Sequence, residues 1–219
     1  MIKFSETPQV YAKNALMCIN GGVVASYSYS YALQLATAIT GSYIKFFSSI
    51  AHHLFKNAIL YFLLCLLFVI GILFTILLKR KVNSKTNQQR IALYAMIFCY
   101  LLLIIINFFF PPRLLNEYQK LYYLLPITLS SSVQYNMFGY MDNVQPATMF
   151  ITNNFRQVCI RFIKSKLDKD ENEFKLALLF LFSIIFFTLG LIVGFAFYET
   201  LNVYLFAISI LICLVCLFL

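Results

Sequence analysis

Tryptophan is absent from this 219-residue chain, and only eight acids stand against seventeen lysines and arginines. Trp normally populates membrane interfaces, so any aromatic belt here falls to the fifteen tyrosines. Charge of both signs is scarce: 11% of residues are charged and 62% hydrophobic, with a mean hydropathy of +0.82. Soluble domains carry about a quarter charged residues, so a soluble class is excluded. With two histidines and few carboxylates, the chain holds no HExxH, no Gly-rich phosphate loop, no Ser/His/Asp arrangement and no histidine pair suited to haem. No catalytic residue, metal site or cofactor is therefore expected. No Asn-x-Ser/Thr acceptor occurs, and the cysteines form no disulfide framework. Cys213-x-x-Cys216 has a redox or metal spacing but lies in uninterrupted apolar sequence, where packing is the expected role.

What the chain does have is long apolar runs. Residues 58–78 make a span of about 21 residues with no charge, stopped by Lys79-Arg80-Lys81. Residues 91–110 make a second, ended by Pro111-Pro112-Arg113, with Asn107 near its end expected to hydrogen-bond within or between helices. The third run, 174–219, carries only Glu199 as a charge between Lys175 and Leu219. It fits two spans, 176–198 and 203–219, joined by Glu199-Thr200-Leu201-Asn202. It also fits one steeply tilted helix of roughly 65 Å. No Pro or Gly near 199–202 marks a turn, so both arrangements stay open. Gly190-x-x-x-Gly194 offers a small-residue groove for packing against another helix.

The other segments are more polar. Residues 1–56 read as an N-terminal amphipathic or interfacial segment with a helix over about 23–50. Tyr27, Tyr29 and Tyr31 alternate with Ser26, Ser28 and Ser30, but the flanks favour helix. His52 and His53 are adjacent; on a helix they point about 100° apart, so interfacial placement is expected rather than metal binding. Residues 111–175 form a polar middle. There, 121–129 is apolar but broken by Pro126 and followed by Ser130-Ser131-Ser132, which predicts a re-entrant or interfacial element rather than a full span. Pro146 opens an amphipathic helix over about 147–166 with a basic face containing Arg156, Arg161 and Lys164. Such a helix lies on the membrane surface or, in the sharper alternative, presents Arg156 to a water-filled path inside it. Residues 166–175 are a mixed-charge solvated loop.

Five basic residues and no acid lie in 79–90, which places this loop on the cytoplasm-equivalent face. The expected fold is an all-α integral membrane protein of four to five transmembrane or tilted helices plus an amphipathic helix. Its units are 1–56, a transmembrane hairpin 57–110, the middle 111–175 and the run 174–219. Lipids with anionic headgroups are the partners expected of juxtamembrane Lys and Arg. Nucleic acid is not, because no basic stripe interleaves with exposed aromatics. The Phe and Tyr excess suggests an AT-rich, organellar genome and hence the mitochondrial inner membrane.

Three stretches resemble subunit a of the F-type ATP synthases. They are Ile104-Ile105-Ile106-Asn107-Phe108-Phe109-Phe110-Pro111, then Thr152-Asn153-Asn154-Phe155-Arg156, then Glu199 followed by Asn202-Val203-Tyr204-Leu205-Phe206. The resemblance covers the second half of the chain. It implies that Arg156 faces a rotor-ring carboxylate and separates two aqueous half-channels, which Glu199 and Asn202 line on one long tilted helix. A guanidinium suits that role because it stays charged. The protein would then be a proton-path subunit of a mitochondrial energy-transducing complex, partnered by other membrane subunits and no enzyme by itself. The alternative is a non-catalytic structural or assembly subunit of a respiratory-chain complex, which asks nothing of Arg156 or Glu199.

Overall fold

A computed structural model describes residues 6–111 and 116–219, the side chain of Glu117 excepted. Eight α-helices make up the described chain: α1 (Pro8–Ala32), α2 (Ile39–Ala51), α3 (Phe55–Lys81), α4 (Lys85–Phe109), α5 (Glu117–Met137), α6 (Thr152–Asp168), α7 (Glu171–Leu201) and α8 (Leu205–Phe218). Three stretches are long and apolar enough to cross a membrane: α3, α4 and Glu171–Phe218. The protein is a helical membrane protein.

Local sequence sets the helix ends. Pro8 opens α1, where its missing N–H costs nothing. Ser84 caps α4, and Asn116 with Gln119 forms a capping box on α5. Asp170 caps α7, with Glu171 and Glu173 in the first turn against the positive end of its dipole. Lys79, Arg80 and Lys81 close α3 at the negative end of its own. Asn202 takes φ 47° and ψ −123°, which ends α7, and a 3-10 turn (Asn202–Tyr204) leads into α8.

The turn at Asn202 resolves the run 174–219 as a hairpin. α1 and α7 run parallel, since Asn14 meets Ser183, Ile19 meets Gly190 and Ser26 meets Gly194. α8 returns along α1 in the opposite sense: Phe206 lies against Tyr27, while Leu219 shares a cavity with Lys13. One continuous helix would satisfy only the first set.

Several expectations are corrected. Residues 6–56 hold two helices of unlike burial rather than one interfacial segment. α1 begins at Pro8 and is among the most buried helices, with Met17, Cys18, Asn20 and Val23 fully enclosed. Its Gly, Ser and Asn residues lower the hydropathy because they face other helices. Only α2 is amphipathic. The predicted break at Pro126 does not occur: α5 continues through it, packed against α3, α4 and α1. The amphipathic helix starts at Thr152, five residues later than expected, since 144–151 is irregular chain with 146–149 buried. Five described helices exceed twenty residues, α1, α3, α4, α5 and α7, while α8 has 14. Arg113 and Pro112 lie outside the described residues.

The two halves of the chain repeat one another in inverted orientation. Each runs long helix, short amphipathic helix, long helix, then a hairpin to a last helix, so α1–α4 corresponds to α5–α8. α1 and α5 are antiparallel, joined by Asn20 to Gln134 and by Tyr31 to Tyr123. The parallel α1/α7 pair is matched by a parallel α3/α5 pair, in which Gly71 meets Ser132 and Asn136 donates to Thr75. Each pair closes on one glycine–serine contact too tight for a Cβ: Gly194 on Ser26, and Gly71 on Ser132. Both serine hydroxyls turn back to the carbonyl three residues earlier, Val23 at 2.7 Å and Leu129 at 2.8 Å. Positive φ follows both first helices, at Leu33 and at Gly139. The short helices α2 and α6 pack on α3 and α7, and α4 packs on α8 across the approximate twofold axis.

Candidate functional site: a polar core open at one end

Polar side chains gather where α1, α4 and α5 meet. Asn20, in the middle of α1, donates from Nδ2 to the Tyr100 hydroxyl (3.0 Å) and to Gln134 Oε1 (2.6 Å). Gln134 in turn donates to the carbonyl of Met17 at 2.6 Å. All three are fully buried, and Asn20 Oδ1 has no partner among the described residues. Two turns toward the start of α1, Asn14 Oδ1 accepts from Ser183 Oγ (3.2 Å) and Cys18 Sγ (3.5 Å). Buried polar groups left incomplete are costly, and Asn14 Nδ2, Ser131 Oγ and Ser209 Oγ also lack partners among the described residues.

The core opens at the end where α1, α4 and α7 begin. A cavity of about 330 Å³ there is lined by Thr7, Lys13, Asn14, Lys85 and Gln89, with Glu6 at its edge. Lys13 Nζ donates to Gln89 Oε1 across α1 and α4 (3.3 Å), and Lys85 lies over the ring of Tyr140. At the opposite end aromatic rings gather between the helices, with a cavity of about 340 Å³ lined by Phe110, Tyr122 and Tyr123 beside them. Tyr27 stacks on Tyr31 at 5.3 Å and meets Phe206 at 4.7 Å and Tyr198 at 5.8 Å. Tyr123 covers Tyr31, and Tyr100 lies under Phe206, each at 5.3 Å.

Irregular chain between α5 and α6 enters the bundle beside this core. Thr148 presses its carbonyl onto Gly21, and Ile151 packs with Cys18, Ala25 and Phe187. Buried Asn154 supplies the missing backbone partners: it accepts from Ala147 N and donates to Ala147 O, both at 2.8 Å. The base of the loop is pinned by a buried ion pair, Lys175 to Asp142 at 3.3 Å, with the Tyr11 hydroxyl donating to the same carboxylate.

The residues singled out in the sequence lie apart. Arg156 is exposed on α6, and Glu199 is exposed near the end of α7. α6 packs on the first half of α7, through Arg161 to Glu173 at 2.9 Å and Ile151 near Phe187. Glu199 is therefore about 18 Å further along α7 than the point where α6 begins. Asn202 forms the hairpin turn, its Oδ1 buried without a partner among the described residues. Gly190 and Gly194 face Ile19 and Ser26 at the α1/α7 contact. Cys213 and Cys216 lie in the apolar core. His52 turns its Nδ1 to the Ser48 carbonyl at 2.8 Å. Lys13, Asn14, Asn20, Lys85, Tyr100 and Gln134 escaped the sequence reading. Their only signal was single amides and lysines in helices otherwise rich in small or apolar residues.

Residues 14–219 match the family described as protein of unknown function (DUF1275). Comparison with curated proteins and with solved structures gave no match.

Proposed function

The chain belongs to the DUF1275 family, and from its architecture we propose a transport protein that moves a small polar solute across a membrane. In this reading α1, α3, α4, α5 and α7 span the bilayer, α8 with the turn before it returns into it, and α2 and α6 flank them. The observation that carries it is the inverted repeat built around a buried polar core. In transporters with inverted repeats, the solute site lies near mid-bilayer between the halves, often beside unwound chain, and rocking of the halves opens it to each side in turn. Asn20, Tyr100 and Gln134 occupy that position here, and 144–151 is the unwound chain. In this reading the basic-end cavity, which reaches the polar core at Asn14, is the entry, and the Tyr27/Tyr31/Tyr123/Phe206 rings narrow the other end.

A proton-path subunit of the ATP-synthase type asks for Arg156 beside Glu199 on one tilted helix. α6 packs on the first half of α7, away from Glu199, and the turn at Asn202 breaks the long helix that reading needs, so the geometry favours the transport reading over that one and over a passive scaffold, which needs no polar core.

Alternation is testable without knowing the solute. The twofold relation maps the start of α4, which lines the open cavity, onto the start of α8, where Val203 is buried. In a chain with its native cysteines replaced, a cysteine at Val203 should react slowly with a membrane-impermeant maleimide from the aromatic side. A bulky adduct at a Gln89→Cys position should wedge the basic end open and slow that reaction about tenfold or more. Equal rates with and without the wedge would sink the two-state proposal.

A further inference from the structure

The cavity at the basic end has the chemistry of an anion site. Asn14 is 3% exposed yet lines the cavity. Its Oδ1 is occupied by Ser183 and Cys18, which leaves Nδ2, a donor, without a partner among the described residues. A buried donor held this way calls for an acceptor from outside. Lys13 and Lys85 reach the same space from two different helices, Lys13 donating to the neutral Gln89 amide and Lys85 lying over the neutral Tyr140 ring. The amino-terminal ends of α1 and α4 line this space together with the carboxy-terminal ends of α5 and α8, so the helix dipoles cancel and the positive charge comes from the two lysines. Glu6 is the one acid among the described lining residues. Thr7 and Gln89 supply further hydrogen-bonding groups.

We propose that this cavity binds an oxyanion, a carboxylate or a phosphate, through Asn14 Nδ2, Lys13 and Lys85. Its role as the loading site of a carrier rests on the transport reading; binding itself does not. The anion is that of a small soluble solute or of a lipid headgroup lodged between helices, and both present the same oxygens.

The test uses the full chain in nanodiscs of phosphatidylcholine, titrated calorimetrically with inorganic phosphate and with succinate. A second set of discs contains phosphatidylglycerol, and bound lipid is counted by native mass spectrometry. Asn14→Asp keeps the acceptor for Ser183 while replacing the donor with a negative charge. Lys85→Gln removes one charge from an exposed position and leaves the fold intact. A soluble-anion site gives titratable binding in the neutral discs, weakened about tenfold or more by Asn14→Asp and several-fold by Lys85→Gln. A headgroup site gives no titration there but retained phosphatidylglycerol, lost in the same variants. Anion and lipid binding that are both absent, or both unchanged in Lys85→Gln, would overturn the proposal. Neither result touches the labelling experiment at Val203, so the two inferences fail independently.

Discussion

Asp142 and Lys175 place two opposite charges where little water reaches them, with side chains 3% and 10% exposed. Removing one partner of such a pair strands the other, at a cost of about 3–5 kcal/mol. Asp142→Asn should therefore lower the thermal midpoint in detergent sharply. The double replacement Asp142→Asn with Lys175→Met should recover most of the loss, because it removes the buried lysine while Asn keeps the left-handed backbone at 142 (φ 45°). A double variant no better than the single would mean that Tyr11 and the turn, not the charges, hold the loop. At this scale the sequence was least legible. Asn14 and Asn20 are ordinary asparagines in a helix of low hydropathy, and only the fold shows that they face a core. Gly190 and Gly194 were readable because small-residue spacing has one common use, whereas Arg156 and Glu199 drew attention by being charged in polar-poor sequence.

Among the elements, α3 and α4 were legible because their many lipid-facing positions must be apolar. α1 and α5 were not, because burial among helices permits the Gly, Ser, Asn and Tyr that hydropathy counts against a span. The segment 144–151 had no sequence signal at all, since its backbone is satisfied from a distance by Asn154. Asn154→Leu keeps similar bulk and strips both partners from Ala147, each buried group costing about 1–3 kcal/mol. Amide exchange across 144–151 should then speed up roughly tenfold or more while α1 and α7 remain protected. Uniform acceleration through the bundle would instead show that Asn154 supports the whole fold.

At the scale of the molecule, the inverted repeat escaped the sequence because its two copies share geometry rather than motif. Gly71 and Gly194, or Ser26 and Ser132, are single matches in unlike surroundings. The tips of the two equivalent hairpins differ most. The tip between α3 and α4 carries Lys79, Arg80, Lys81 and Lys85, with Arg90 just beyond, whereas that between α7 and α8 carries Glu199 and no base. Two halves that fold alike but point oppositely would insert into a bilayer either way up with little preference. The charged tip breaks the tie during synthesis, because Lys and Arg near span ends resist translocation. Neutralising those five bases and placing lysines at 199, 200 and 202 should turn the molecule over, with a carboxy-terminal reporter appearing on the opposite face. Biogenesis, on this view, rests on a place where the twofold likeness is abandoned.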